Sequence, residues 1–414
     1  MVTWADGANI YEVNIRQYTA EGNFKAFAEH LPRLKDMGVK ILWLMPVTPI
    51  SIEKRQGTLG SYYACSSYTS INPEFGTMDD FKDLVKQVHA LDMKIIIDWV
   101  ANHTGCDHHW TKEHPEYYLK DDKGNFTEKN GWNDVIDLNF GNDDMRNAMI
   151  EAMKFWVDEC NIDGFRCDMA HLVPLDFWKK TRKKCDKIKS LFWLAECDEP
   201  DYLEAFDISY AWNWMHISGK LVKGEATLYS MMNVLYAYPS KYPSKLFFTS
   251  NHDENSWNGT EYEKYGPAAK AFAIFSATWQ GLFLLYSGQE LPNTKRLHFF
   301  DKDEIAWGAE SPALHGFYKT LLSLRTNNKA LHGNADFFLL SASDSDNMLA
   351  YMYKKGKSTV FVLINFSPDG QKKIMLTHPA LKGKFKNIFS GLEYSFAETQ
   401  EFELQEWEAI VYFV

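Results

Sequence analysis

Eight short apolar runs, each followed by a stretch whose apolar residues recur at helical spacing, restrict this fold more than any other feature. The runs are Ile10–Ile15, Ile41–Val47, Lys94–Val100, Gly164–Asp168, Phe192–Glu196, Ile208–Trp212, Leu246–Ser250 and Leu282–Tyr286. They are too continuous for half-exposed strands and too short for helices, so they read as parallel strands buried on both faces. The segments between them supply covering helices. Phe24, Phe27, Leu31 and Leu34 share one helical face that stops at Gly38, and Thr77-Met-Asp-Asp80 resembles a capping box ahead of Phe81, Leu84, Val85, Val88 and Leu91. Met145, Met149, Ala152 and Trp156 make a further stripe. Eight strand–helix pairs over roughly 330 residues predict an α/β fold, a (β/α)8 TIM barrel with loop insertions.

Two connections are long enough to expect function of them: Thr48 to Asn72, rich in Ser, Tyr and Gly, and Thr104 to Asn139, rich in His, Asp, Lys and Trp. The second predicts a short inserted subdomain over 104–139. Beyond Gly333 the period changes to two, in Asn347–Lys354, Ser358–Asn365, Lys372–Leu376 and Glu406–Phe413. The expected organisation is a barrel over 1–332 and a C-terminal antiparallel β-sandwich domain over 333–414.

Composition narrows the partners. The formal net charge of −11 offers no basic footprint for phosphate backbones or anionic lipid, so neither nucleic acid nor a membrane is expected as a partner. Aromatics are abundant, 15% of the chain, and they fill cores as readily as they stack on sugar rings. Six cysteines show neither C-x-x-C nor zinc spacing and read as free thiols. Residues 1–9 lack a basic stretch and an apolar stretch, so no secretory leader is expected in the chain as given, and the expected location is cytoplasmic, or periplasmic or secreted if a leader was trimmed. Separately, a monomer is expected.

In a barrel of this kind chemistry sits where strands end. Asp168 closes Gly-Phe-Arg-Cys-Asp, Glu196 closes Phe-Trp-Leu-Ala-Glu, and Asp253 lies just past the seventh run in Ser-Asn-His-Asp. Strand alternation puts Arg166 on the face of Asp168, which favours an ionised carboxylate, and turns Cys167 away. Glu196 follows Trp193, Leu194 and Ala195, an apolar setting that favours the protonated acid. Two carboxylates with opposite environments suit glycoside hydrolysis. The third run ends Asp98-Trp-Val-Ala-Asn102-His103, which places Asp98 and Asn102 on one face and His103 over the mouth, with His252 beside Asp253 as a second imidazole. Asp107-His108-His109, the one dense cluster of metal-ligand types, reads as a solvated turn.

Asp98-Trp-Val-Ala-Asn-His103, Gly164-Phe-Arg-Cys-Asp168, Ala195-Glu196 and Ser250-Asn-His-Asp253 resemble, in order and spacing, the four motifs of the alpha-amylase family of glycoside hydrolases. Val39–Pro46, Asp137-Leu-Asn139 and Tyr286-Ser-Gly-Gln-Glu290 add to the resemblance, which spans roughly residues 8–330. It implies that Asp168 is the nucleophile, Glu196 the acid and then base, and Asp253 the stabiliser that grips sugar hydroxyls. It further implies that Arg166 holds Asp168, that His103 and His252 bind hydroxyls on the non-reducing side of the cleaved bond, and that Tyr63 stacks on that sugar. Many members hold a structural calcium. Asn102, Asp137 and the carbonyl of Leu172 match that set, although a His commonly stands where Leu172 does.

The favoured expectation is a retaining hydrolase of α-1,4 links in starch or maltooligosaccharides. An α-1,6-glucosidase and a transglycosylase use the same chemistry. A non-catalytic sugar-binding protein would have lost one of the three acids, and a metal-dependent hydrolase would need convergent His and acid ligands.

Overall fold

The computed structural model describes residues 1–240, 244–308, 311–370 and 372–414. All eight predicted strands form, at Asn9–Val13, Ile41–Leu44, Lys94–Trp99, Gly164–Cys167, Phe192–Ala195, Ile208–Tyr210, Lys245–Phe247 and Leu282–Tyr286, and they close into one parallel barrel in chain order. Their residues are almost entirely buried, as continuous apolar runs require. Outer helices include Met78–Ala90, Asp143–Cys160, Leu175–Cys185, Ala269–Thr278 and His315–Asn327. The capping box at Thr77 is present: its hydroxyl accepts from the Asp80 amide (3.2 Å), and its amide donates to Asp80 Oδ2 (2.9 Å).

The first apolar stripe does not make one helix. It splits into Phe24–Ala28 and Leu31–Met37, because Pro32 has no N–H to continue the ladder and sits in the first turn of the second piece. Phe24, Phe27, Leu31 and Leu34 are nonetheless all buried. Gly164 shows what closing the barrel demands: a Cβ there would lie 2.0 Å from the carbonyl oxygen of Phe192, so only glycine lets the fourth and fifth strands run this close.

The long third connection folds back on itself through paired strands His103–Gly105 and Val135–Asp137. Past Asp336 the chain builds a six-stranded antiparallel sheet facing a two-stranded one, Lys372–Thr377 with Thr399–Leu404. Leu340, Met352, Phe361, Leu363, Ile374 and Phe402 fill the space between them, which makes the sandwich. Four of its strands escaped the period-two reading: Asp336–Leu340, Gly383–Asn387, Glu393–Phe396 and Thr399–Leu404. They are short or edge strands whose solvent side carries mixed residues. The last strand starts only at Ala409, because Trp407 takes a left-handed turn at φ 50°.

Candidate active site

Barrel register decides what converges at the C-terminal end. Asp98 pairs with Arg166 across the third and fourth strands, and Cys167 pairs with Ala195 across the fourth and fifth, so Asp168 and Glu196 emerge at one level above Arg166. The Arg166 guanidinium is fully buried and shared. Its Nη1 donates to Asp98 Oδ1 (2.9 Å) and Asp168 Oδ1 (3.0 Å), its Nη2 lies 2.9 Å from Glu196 Oε2, and its Nε donates to the Tyr210 hydroxyl (3.2 Å). The Trp43 ring covers the guanidinium at 4.8 Å, and Trp43 Nε1 donates to Asp98 Oδ2 (3.2 Å).

One cation among three buried carboxylates cannot keep all three ionised. Burial is the largest effect on each and raises them, with Arg166 pulling back: Asp98 and Asp168 rise to about 6 and Glu196 to about 8. The expectation for Glu196 is met in direction and cause. That for Asp168 is corrected, since Arg166 does lower its pKa but burial outweighs the ion pair. The two acids still end apart, Asp168 at about 6 and Glu196 at about 8, with burial the largest cause on each and two neighbouring carboxylates adding to it: Asp98 and Asp253 for Asp168, Asp168 and Asp253 for Glu196. Met169 follows the nucleophile candidate at φ 39°, a left-handed backbone rare for a residue with a side chain, and that turn aims its amide at Glu196 Oε2 (2.9 Å).

His252 bridges two acids, with Nδ1 2.5 Å from Glu12 Oε1 and Nε2 3.3 Å from Asp253 Oδ2. Burial works against the charged ring, but these carboxylates win and push it up to about 9. Tyr63 stacks on His252 at 5.4 Å, and its hydroxyl lies 2.7 Å from His252 Nε2 and 3.1 Å from Asp98 Oδ2. His103, lowered to about 4 by burial, is neutral and lies 5.1 Å from the Trp132 ring. Asp168, Glu196, Asp253, Tyr63, His103 and His252 all line one cavity of about 280 Å³, and Arg166 lies beneath its floor.

Several members of this site went unread in the sequence. Glu12 carried an available signal, a lone acid inside an apolar strand and fully buried. Trp43 and Tyr210 looked like ordinary barrel filling, while Gln56, Trp132, Asp134, Trp257, Phe299 and Phe300 reach the cavity on loops that no periodicity marks. Cys167 is buried, as strand parity predicted.

The calcium set is sparse. Asn102 Nδ2 lies 3.3 Å from His103 Nδ1, Asp137 Oδ2 accepts from the Thr127 hydroxyl (3.2 Å), and Leu172 ends a short turn, Ala170–Leu172. One carboxylate, one amide and one carbonyl fall short of the ~6–8 oxygens that calcium takes. Among the described residues no three His, Cys, Asp or Glu side chains cluster as a metal site. These residues do not fit the ion unaided.

Asp107-His108-His109 is a solvated turn only at His109, whose side chain is exposed. Asp107 Oδ2 accepts from the amides of Ile52 (2.8 Å) and Glu53 (3.0 Å), and His108 is fully buried 5.0 Å from Tyr68 and 4.9 Å from Trp110. The cluster fastens the third connection to the second. No helix among the described residues is long and apolar enough to cross a membrane.

The alpha amylase catalytic-domain family model matches residues 5–134 and 117–207. Alpha-amylase MalA of Haloarcula japonica is 26% identical over 403 residues, 88% of this chain and 56% of that protein. An alpha-1,4-glucan:maltose-1-phosphate maltosyltransferase of Streptomyces coelicolor is 24% identical over 389 residues, 85% of this chain and likewise 56% of its own length. The chain thus spans little more than half of these curated relatives. A noncanonic maltogenic alpha-amylase, AmyB of Thermotoga neapolitana, superposes with a TM-score of 0.90 at 29% identity, covering 98% of both chains.

Proposed function

Because the chain belongs to the alpha-amylase family of glycoside hydrolases, we propose that it cleaves α-1,4-glucosidic bonds of starch or maltooligosaccharides with retention at the anomeric carbon. The observation that carries this reading is the cluster of Asp168 and Glu196 on one guanidinium, with the proton held preferentially by Glu196. At neutral pH Asp168 is largely ionised and attacks the anomeric carbon, while Glu196 gives its proton to the departing glycosidic oxygen. Glu196, now ionised, takes a proton from water as that water attacks the same carbon and releases Asp168. Two inversions at one carbon give net retention.

Asp253 and His252 face the same cavity and grip hydroxyls of the sugar being distorted. Tyr63 offers a ring face, and neutral His103 exchanges a hydrogen bond with a hydroxyl. Arg166 acts beneath the sugar, keeping the carboxylates in place. No step passes through a metal, and EDTA is expected to leave the rate on maltooligosaccharides unchanged; a loss restored by calcium alone would overturn that.

A second reading has a specific observation behind it, the maltosyltransferase among the relatives. An acceptor hydroxyl in place of water would turn the same intermediate into a longer glucan. A time course of products from maltoheptaose separates the two, with Asp168→Asn as the blank. Shorter oligosaccharides alone are expected, and longer products would establish transfer. The Asp168→Asn variant is expected to lose several orders of magnitude in turnover while still binding; near-normal turnover would remove Asp168 from the nucleophile's role.

A further inference from the structure

The cavity at the catalytic acids is closed on one side by loops that hold each other shut. The connection after the second strand meets the connection after the eighth: the amides of Leu59 and Gly60 both donate to the carbonyl of Phe300 (2.9 and 3.1 Å), and the Thr58 amide and hydroxyl both donate to Asp301 Oδ1 (2.7 Å each). Gln17 anchors the eighth-strand loop from below, its Nε2 donating to the carbonyls of His298 (2.7 Å) and Asp301 (2.8 Å). At Gly57, where φ is 62°, a Cβ would lie 2.6 Å from that of Phe300, so no side chain separates the loops.

The wall so made is aromatic. Phe299 stacks on Tyr63 at 6.3 Å, and Trp257 leans on Phe299 and Phe300 at 5.3 and 5.7 Å. The space this wall borders is small, about 280 Å³, below the ~300–1,000 Å³ usual for pockets that take drug-sized ligands. A buried acceptor also lacks a donor there: Asp134, 4% exposed, leaves Oδ2 without a hydrogen-bond partner and lines the cavity next to Gln56 and Trp132. A buried carboxylate oxygen of this kind is costly unless something donates to it, and sugar hydroxyls do.

Orientation follows from the chemistry. Glu196 must stand at the leaving oxygen, so the departing sugars lie on its side, and Tyr63, His252 and the Phe299 wall enclose the sugar attached to Asp168. We infer that this site takes a glucan by its non-reducing end: the Phe299–Asp301 loop is the stop, and Asp134 receives a hydroxyl of the terminal units. The inference rests on the α-glucan-cleaving reading above and adds the end at which the chain is held.

The test compares maltoheptaose with maltoheptaose whose terminal 4- and 6-hydroxyls are tied in an ethylidene acetal, products being followed by chromatography. The blocked substrate is expected to be cut at least ~100-fold more slowly, equivalent to ~2.7 kcal/mol in the barrier. Equal cutting within about threefold (~0.65 kcal/mol) would overturn end recognition while leaving the hydrolase reading intact. Cutting of neither would overturn both. Asp301→Ala, which releases Thr58, is expected to gain cleavage of the blocked chain; a folded variant without that gain would take the stop away from this loop.

Discussion

Arg166 settles the electrostatics of the site because it is one charge shared by three acids. A dedicated partner would have held Asp168 in the ordinary carboxylate range, but sharing leaves burial in command and lets Glu196 keep a proton near neutrality. The pH dependence follows with its sign. With Asp168 as the proposed nucleophile and Glu196 as the proposed proton donor, kcat/KM is expected to rise through about pH 6 as Asp168 loses its proton and to fall through about pH 8 as Glu196 loses its own. A bell with those limbs is the expected profile. A rate that keeps climbing past pH 9 would show that Glu196 is not the proton donor. Glu12 belongs to the same scale: without its carboxylate, His252 would lose one of the two acids that hold it charged.

Elements place these residues through backbone constraints that side-chain chemistry alone would not suggest. Gly164 opens the fourth strand, four residues before Asp168, and its missing Cβ is what brings that strand against Phe192. Gly164→Ala is therefore expected to force apart the strands that end in Asp168 and Glu196, with a cost of about 1–3 kcal/mol in stability from overpacking and a larger fractional loss of turnover. Thermal melting and kcat measured on the same preparation check both, and an active variant of unchanged stability would refute the close-approach argument. Met169 works similarly from the other end of the strand, since its left-handed turn supplies the amide that Glu196 accepts. Polar ties do the remaining placement, as where Asp107 caps Ile52 and Glu53 and so joins two loops of the mouth.

Across the whole molecule the barrel and the sandwich share packing. Tyr351 of the six-stranded sheet and Phe366, just past the strand Ser358–Asn365, pack on Phe275 of the barrel helix Ala269–Thr278, Tyr351 also contacts Trp279, and the Tyr351 hydroxyl lies 2.6 Å from Thr278 Oγ1. Calorimetry is expected to show one unfolding transition for both parts, because losing the sheet would expose those aromatics to water; two resolved transitions would refute the coupling. This scale also separates what the sequence determined from what it did not. Strand identity, the eightfold alternation and the acids at strand ends were all legible, because burial on both faces forces continuous apolar runs and barrel chemistry sits where those runs stop. The split at Pro32, the sharing of Arg166, the burial of His108 and the aromatic wall from Trp257 and Phe299 were not. Each depends on which distant segments the barrel closure brings together: loops have no period to read, and a carboxylate's pKa follows how many neighbours compete for one cation once water is gone.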